Sequence, residues 1–201
     1  VSPDGFVFVT GVFYDTVDFG GGPVQARGGD VFVVKYTDDG EYVWSRGFGV
    51  PTYVDVGKSV AADAQGNVVV VGMFQAGTAD FGGVTHTAIG PDIFVAKYDG
   101  NGQHVWSDGF GGGNDEGEGV AVDGDGHMYI TGHFEQSVDF GGGLITSGGQ
   151  SDCVVARYAP DGTHIWSRRY GGTRWDGGEA IAIDNDGSVL LAGHFSATVD
   201  F

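Results

Sequence analysis

The stretch "KSVAADAQGNVVVVGMF", Lys58–Phe74, decides the fold because the chain repeats it. It returns as "EGVAVDGDGHMYITGHF" over Glu118–Phe134 and as "EAIAIDNDGSVLLAGHF" over Glu179–Phe195. Two further landmarks, "DVFVVKY" from Asp30 and "VWS" from Val43, also occur three times with small changes. A period of about 60 residues therefore organises the chain, and a fixed period is the signature of a repeat architecture.

Each repeat contains four short runs of β-branched and aromatic residues and no stretch of helical periodicity, which predicts four strands, A to D. Turn residues such as Ala64–Gly66 join A to B, and Asn101–Gly102 joins C to D. Each repeat is thus predicted to be an antiparallel four-stranded meander. In the second repeat the predicted strands are Ser59–Asp63, Asn67–Phe74, Asp92–Tyr98 and Gln103–Phe110.

Strands B and C are apolar at nearly every position, as in Val68–Val71 and Ile93–Ala96. A half-exposed sheet would alternate apolar and polar residues, so both faces of each small sheet are expected to be buried. Sheets that stack face to face around an axis meet this requirement, which predicts an all-β fold of the β-propeller type with one blade per repeat. Strand A carries small residues that suit the crowded inner end of a blade, namely Ala61, Ala121 and Ala182. The Trp of strand D is expected to fill the wide outer end.

The combined pattern "AVDxxGxxYITG" and "DxFVxKYxxDGxxxWSxxFGG" resembles the bacterial β-propeller repeat known as the SBBP repeat, over essentially the whole chain. That family occurs in secreted and surface proteins of bacteria and has no single assigned activity. The resemblance implies a propeller and a location outside the cell or on its surface.

The blades are expected to divide the chain into a partial blade at 1–48, full blades at 49–110 and 111–170, and a partial blade at 171–201. Propellers close with about four to eight blades, so three repeats would leave apolar faces and strand edges uncovered. We expect the ring to be closed either by further blades of the same chain or by self-association.

A second repeated segment, "TVDFGGG" at 16–22, recurs at 137–143 and, in shortened form, at 78–83 and 198–201. A phosphate-binding loop would lead into a helix and carry a Lys, and a kinase-type "DFG" would come with a catalytic-loop motif; the sequence has neither. The segment is predicted to be structural, with its Phe filling a gap between blades, its glycines at positive φ and its aspartate bound to loop backbone. These aspartates are Asp18, Asp80, Asp139 and Asp200.

One position of strand C is basic in all three repeats, as Lys35, Lys97 or Arg157. Because an unpaired buried charge is costly, we expect an ion pair in each blade. The expected partners are the "VDF" aspartate or the residue that begins "DxFV", which is Asp30, Asp92 or Asp152.

Composition excludes several classes of partner. The 201 residues include 9 basic and 27 acidic side chains, a formal net charge of −18, which would repel nucleic acid and anionic membrane surfaces. No apolar run approaches the roughly 20 residues of a spanning helix. The single Cys153 stands where the other repeats have Val31 and Ile93, which predicts a packed thiol.

The sequence offers weak metal candidates and no catalytic set. The turns "DGDG" at 123–126 and "DNDG" at 184–187 look like the start of a calcium loop but lack its bidentate Glu. The acidic D-to-A crossings are a second candidate for Ca²⁺, and otherwise no cofactor is expected; the crossing residues are Asp55, Asp115, Glu116, Asp176 and Glu179. The histidines align with apolar residues in other repeats, so they are not predicted to be metal ligands, and no Ser-His-Asp or Cys-His arrangement stands out.

Aromatic residues beside these carboxylates give the best binding-site candidate. Trp175, next to Arg174, is the only Trp outside strand D, and Tyr53 lies in the equivalent crossing. A loop aromatic beside carboxylates suits recognition of a peptide or a sugar. The sequence therefore predicts a non-catalytic extracellular binding or scaffold module for a protein or glycan ligand, with a lectin-like propeller as the alternative and a hydrolase or lyase fragment as the second alternative.

Overall fold

A computed structural model of the protein describes residues 1–2 and 4–199. Strands β1 to β17 make up its regular structure, and none of the described residues is helical. Over these residues, no helix is long and apolar enough to cross a membrane. The fold is all-β, as the sequence predicts, and every strand pairing within its sheets is antiparallel.

The second and third repeats each form a four-stranded sheet in the spatial order A, B, C, D. The second comprises β4 (Val56–Ala62), β5 (Val68–Phe74), β8 (Asp92–Tyr98) and β9 (His104–Phe110). The third comprises β10 (Glu116–Val122), β11 (Met128–Phe134), β14 (Asp152–Tyr158) and β15 (His164–Tyr170).

The flanking sheets contain subsets of the same four strands. The first has strands B, C and D, which are β1 (Val7–Asp18), β2 (Pro23–Tyr36) and β3 (Tyr42–Phe48). The last has strands A and B, which are β16 (Gly177–Ile183) and β17 (Val189–His194).

The B-to-C connection is a β-hairpin, which the sequence pattern did not predict. In the second repeat it is β6 (Gly77–Asp80) with β7 (Thr85–Ala88), and in the third β12 (Ser137–Asp139) with β13 (Leu144–Thr146). In the first repeat the hairpin is continuous with β1 and β2, whose register shifts between Tyr14 and Thr16.

Consecutive sheets stack face to face. On β5, Val68 and Val70 belong to an apolar cluster with Val31 and Val33 of the first repeat. Their neighbours on β5, Val69 and Val71, face the opposite way, into a cluster with residues of the third repeat such as Met128, Ile130 and Val154. All four valines are fully buried. The predicted burial of both faces of strand B is therefore observed, and each sheet depends on its neighbours for that burial.

The Phe of the repeated "DFGG" segment fills the space between sheets. Phe81 is 1% exposed, stacks on Phe94 at 4.9 Å between ring centroids and meets Phe48 of the preceding repeat edge-on at 5.1 Å. Its carbonyl accepts a hydrogen bond from the Tyr98 hydroxyl at 2.8 Å. The same bond joins Tyr36 to Phe19 and Tyr158 to Phe140.

The aspartate of this segment holds the hairpin turn, as predicted. Asp18 Oδ1 accepts hydrogen bonds from the amides of Gly20 and Gly22, whose φ angles are 117° and 104°. Asp80 and Asp139 bind the matching glycine amides of their own turns. The prediction for Asp200 lies outside the described residues. The segment therefore stabilises a hairpin turn and is not a phosphate-binding loop.

The basic residues of strand C pair with other carboxylates than those predicted. Lys97 Nζ lies 3.4 Å from Asp63 Oδ2, and Arg157 Nη2 lies 3.5 Å from Asp123 Oδ2. Both aspartates begin the A-to-B turn, so the expected pairing with the "VDF" or "DxFV" aspartate is wrong. Lys35 lacks this partner because the aligned residue is Ser2; its ammonium lies over the Phe6 ring, 3.8 Å from the centroid.

Strands C and D also contact the turn of the next repeat. Lys35 Nζ and Trp44 Nε1 both donate hydrogen bonds to the Gly100 carbonyl at 3.1 Å, and Lys97 Nζ donates to that of Pro160 at 3.1 Å. A Cβ on Gly102, where φ is 74°, would lie 2.8 Å from the Trp44 ring. The C-to-D turn therefore needs glycine both for its backbone angle and for the indole packed against it.

We expect Phe81→Ala to lower the free energy of unfolding by about 3–5 kcal/mol, because it opens a cavity between two sheets. Urea unfolding followed by circular dichroism measures this loss. Ile89→Ala is the matched control: Ile89 is 94% exposed, and its truncation should change stability by less than about 0.5 kcal/mol. Equal effects of the two substitutions would contradict the structural role of the "DFGG" segment.

Candidate functional site

The D-to-A crossings place the predicted site residues in two environments. Tyr53 is 47% exposed and Trp175 46% exposed, and Arg174 is exposed beside the latter. The predicted acidic residues are less accessible: Asp55, Asp115 and Asp176 are 0% exposed, and Glu116 is half-buried. The aromatic residues and Arg174 therefore remain surface candidates.

The three crossing aspartates tie loop segments together. Asp115 accepts hydrogen bonds from the amides of Gly112 and Gly113 with Oδ2, at 2.8 and 3.0 Å, and from that of Glu135 with Oδ1, at 2.6 Å. Asp55 and Asp176 repeat this arrangement on the amides of Val50 and Gln75, and of Gly172 and Ser196. Burial raises the pKa of Asp115, although these amides oppose the shift. These carboxylates are enclosed and bind backbone amides, so they are less accessible to a surface ligand than Tyr53, Arg174 and Trp175, and their contact with a ligand stays a prediction.

Glu116 belongs to an ion cluster on strand A. Lys58 Nζ lies 2.9 Å from Glu116 Oε2 and 3.1 Å from Glu118 Oε1, and so links the second repeat to the third. Burial would lower the pKa of Lys58, but its hydrogen bonds to the two glutamates outweigh this and raise the pKa. Glu116 is thus engaged by a neighbouring sheet. Lys58 and Glu118 occupy the extra position of a β-bulge in β4 and β10, as does Glu179 in β16.

The exposed aromatic residues sit on loops with a fixed backbone. The Tyr53 carbonyl accepts a hydrogen bond from the Gly29 amide at 2.8 Å. Trp175 forms an isolated parallel bridge with Ser151, as Val54 does with Gly29. Asp55 and Asp176, which follow in these crossings, accept backbone hydrogen bonds at both carboxylate oxygens. Tyr53 and Trp175 therefore project from crossings with a fixed backbone. Tyr53 and Trp175 lie in the first and third crossings, with the sheets of the second and third repeats between them.

The A-to-B turns are held by their own first aspartate. Asp123 Oδ1 accepts hydrogen bonds from the amides of Asp125 and His127 at 3.0 and 2.9 Å, and Asp63 and Asp184 do the same in their turns. Asp123, Asp125 and His127 place one potential ligand atom each within 4.8 Å of one another. The Asp123 carboxylate also contacts Arg157, however, so the turn already has a cation and its geometry is explained without a metal.

A second buried carboxylate accompanies each crossing aspartate. The Asp55 amide donates a hydrogen bond to the Gly29 carbonyl at 2.7 Å, which brings Asp55 beside Asp30. The corresponding bonds, from Asp115 to Pro91 at 2.9 Å and from Asp176 to Ser151 at 3.0 Å, pair Asp115 with Asp92 and Asp176 with Asp152. Asp30, Asp92 and Asp152 are 4%, 8% and 0% exposed. Burial and the Asp115 charge raise the pKa of Asp92 to about 6.

Two clefts border these elements. One, of about 340 Å³, opens onto Asp30 and is lined by Arg27, Gly47 and Asp80 among others. The other, of about 350 Å³, is lined by the inner positions of strand A in three successive repeats, including Ala61, Ala121 and Ala182. The small residues of strand A thus converge on a common space, where the sequence predicts the crowded inner ends of the blades.

Comparison with known proteins gives a distant relationship. No family model matches the chain. A segment of 90 residues is 30% identical to an uncharacterized WD repeat-containing protein of Acanthamoeba polyphaga mimivirus, and the alignment covers 40% of this chain and 6% of the viral protein. The similarity indicates a β-propeller-like repeat protein, and the narrower assignment to the SBBP repeat has no matching family model.

Sequence reasoning missed the Lys58 cluster and the pairing of Asp92 with Asp115. A signal for the second was present, since the same position at the start of the strand C segment is Asp in all three repeats, and the strand that follows it is buried on both faces. An aspartate at such a position needs a partner.

We expect Asp92→Asn to remove part of the pH dependence of stability. Because the pKa of Asp92 is higher in the folded chain than in the unfolded chain, its ionisation lowers the free energy of unfolding as pH rises through about 6. The difference in unfolding free energy, variant minus wild type, should therefore be about 1–3 kcal/mol more positive at pH 7 than at pH 4. Urea unfolding of both proteins at both pH values, in the presence of a chelator, measures this difference. If the difference were the same at pH 7 and pH 4, the raised pKa of Asp92 would be contradicted. Asp38→Asn, an exposed acid, is the control.

Proposed function

We propose that the stacked sheets form an arc of a β-propeller with one blade per repeat. Three features support this proposal: the face-to-face order of sheets along the chain, the convergence of strand A residues on one cleft, and the similarity to a WD repeat-containing protein. The proposed blades are 49–110 and 111–170, with partial blades at 1–48 and 171–201, as the sequence predicts.

The last described sheet exposes an apolar side chain at a position that is buried in the second repeat. Leu190 on β17 is 56% exposed, whereas the aligned Val69 of the second repeat is fully buried against the third repeat. We propose that another sheet of the same kind covers this surface in the assembled protein, supplied by further repeats of the chain or by a second copy. Either source would bury the apolar side chains that β17 exposes.

We expect the 201-residue chain to self-associate or to bind a hydrophobic dye. Leu190→Asp should reduce the self-association or the dye binding, according to which of the two is observed. The reason is that an aspartate on this face resists burial. Light scattering after size exclusion, together with dye fluorescence, measures both. Leu144→Asp is the control, because Leu144 is 73% exposed and lies on a hairpin away from this sheet. A monomer that binds no dye would contradict the proposal.

The chain is proposed to act as a non-catalytic binding or scaffold module, with the D-to-A crossings as its contact surface. The observation that carries this is the exposed Trp175 on a crossing fixed by the buried Asp176 carboxylate. An exposed aromatic side chain on a rigid loop loses little conformational entropy on binding, and such residues commonly anchor interfaces. Protein ligands are the first class proposed, and the neighbouring Arg174 would complement an acidic or polar group.

The enzymatic alternative finds no support at the buried crossing aspartates. Asp115 is enclosed and binds three backbone amides, so its carboxylate is not free to transfer a proton to a substrate. The proposed location is extracellular or at the cell surface, and it rests on the resemblance to bacterial surface repeats.

A carbohydrate-binding function is the second candidate, favoured by the same exposed indole. Indole faces pack on sugar rings, and Arg174 supplies hydrogen-bond donors beside it. The two candidates differ in the ligand class and share the contact residue.

We expect Trp175→Ala to reduce binding of the labelled chain to a displayed-peptide library by at least about 10-fold, as at an interface hot spot. Binding is measured by fluorescence polarisation with selected peptides, in parallel with a printed glycan array. Tyr53→Ala tests the first crossing, and Leu144→Ala, a truncation at an exposed apolar side chain elsewhere, should leave binding unchanged. Binding to glycans alone, lost on Trp175→Ala, would replace the protein ligand by the lectin-like alternative. Equal binding by all variants would contradict the proposed contact surface.

A further inference from the structure

The paired carboxylates at the crossings contain an unsatisfied group that the binding proposal does not explain. Within residues 1–2 and 4–199, Oδ1 of Asp30, Asp92 and Asp152 is buried and has no hydrogen-bond partner. Buried polar groups are almost always satisfied, and a buried charge requires a cation or a hydrogen-bond network. The same oxygen lacks a hydrogen-bond partner in three repeats, so it can accept a further ligand at each of these positions.

These oxygens are oriented toward the crossings. A Cβ on Gly49 would lie 2.9 Å from Asp30 Oδ1 and 2.6 Å from Asp55 Oδ2, so the two carboxylates approach the same point. A Cβ on Gly171 would lie 2.5 Å from Asp152 Oδ1, and one on Gly111 would overlap Asp92 Oδ1. Glycine at this position leaves room for the carboxylate.

In the third repeat the chain supplies a cation itself. Arg169 Nη1 contacts Asp152 Oδ2, and the Gly148 amide donates to the same oxygen at 2.9 Å. Arg169 occupies the sixth residue of strand D, which is Gly47 in the first repeat and Gly109 in the second. The guanidinium therefore balances charge at a position where the other two repeats have no side chain.

The three repeats thus differ in their charge balance. In the first, Arg27 lines the cleft that opens onto Asp30, and its backbone amide donates a hydrogen bond to Asp30 Oδ2 at 3.2 Å, but no ion pair joins the two side chains. In the second, the residues aligned with Arg27 and Arg169 are Ile89 and Gly109, so neither position provides a cation. Among the described residues, no Lys, Arg or His is within ion-pair distance of Asp92 or Asp115, although the more distant His133 acts on the charge of Asp115.

We propose that Asp92 and Asp115 bind a divalent cation of the Ca²⁺ class, which balances in the second repeat the kind of charge that Arg169 balances in the third. Carboxylate oxygens are the preferred ligands of this hard cation, and water completes its coordination where protein oxygens are few. Asp115 keeps its hydrogen bonds from three amides, which orient its carboxylate, while the orphaned Oδ1 of Asp92 gains a partner. The cation would fasten the second D-to-A crossing to strand C.

Calcium titration of the chelator-treated 201-residue chain tests the proposal. With a dissociation constant of about 0.1–1 mM, as in extracellular modules, 10 mM CaCl₂ should raise the Tm by about 3–10 °C. Asp92→Asn should abolish this shift and raise the Tm measured in chelator, because it removes the repulsion between two carboxylates. Asp152→Asn, at the pair already bound by Arg169, should lower the Tm and leave the calcium shift unchanged.

Two further variants keep the result interpretable. Gly109→Arg, which copies the third repeat into the second, should make the Tm independent of calcium even if Asp92→Asn fails to fold. Asp125→Asn should preserve the wild-type shift; loss of the shift in this variant would place the ion at the A-to-B turn and overturn the proposal. It would be overturned equally by a wild-type Tm that does not respond to Ca²⁺, Mg²⁺ or Mn²⁺ at 10 mM, or by a full calcium shift in Asp92→Asn.

Discussion

Burial of both faces of strands B and C is the constraint on which the rest of the structure depends. Val68–Val71 and Ile93–Ala96 are fully buried, and alternate residues belong to clusters on opposite sides of one sheet. No single repeat supplies such an environment, so the sheet of the second repeat is buried between the sheets of the first and third. The contacts between repeats follow from this: Phe81 fills the gap between two sheets, and Lys35 and Trp44 meet at the Gly100 carbonyl of the next turn.

A sheet buried on both faces must also accommodate its polar residues at the strand ends. The repeats place an aspartate at each of four turns or crossings, and most of these carboxylates bind loop amides. This arrangement fixes the loops without external ligands, and it explains how Trp175 can be both exposed and rigidly carried. The aspartate that begins strand C is the exception, since it has fewer amides to bind and lies against a second carboxylate. Charge balance at that point differs between repeats, while the apolar stacking does not.

Much of this fold could be predicted from the sequence, because its signals are local or repeated. The limits of β8 match the prediction, and the aspartates of the "DFGG" turns bind the glycine amides as expected. The partners of Lys97 and Arg157 could not be predicted, because they depend on which turn of the same sheet lies beside the ammonium or guanidinium group, and several aspartates per repeat compete. The hairpins β6–β7 and β12–β13 were missed since their strands have only three or four residues.

The candidate site, like the fold, could be predicted only in part from the sequence. Sequence alone marks Tyr53, Trp175 and the crossing aspartates as unusual, but it cannot separate an exposed aromatic residue from a buried carboxylate. In the structure the two aromatic residues are exposed and the crossing aspartates are buried. Two positions near the crossings differ between the repeats. The residue before the crossing aspartate is Val54, Asn114 or Trp175. The sixth residue of strand D is Gly47, Gly109 or Arg169.

Positions that maintain stacking are nearly constant between the repeats of this chain, whereas these two positions vary. The crossings also differ in length, with six, four and five residues between the end of strand D and the crossing aspartate. A side chain that differs between the repeats is not required for the stacking, because the other repeats stack without it. It is therefore at the crossings and at the adjoining end of strand D, and not in the stacked apolar layers, that the repeats can acquire different ligands.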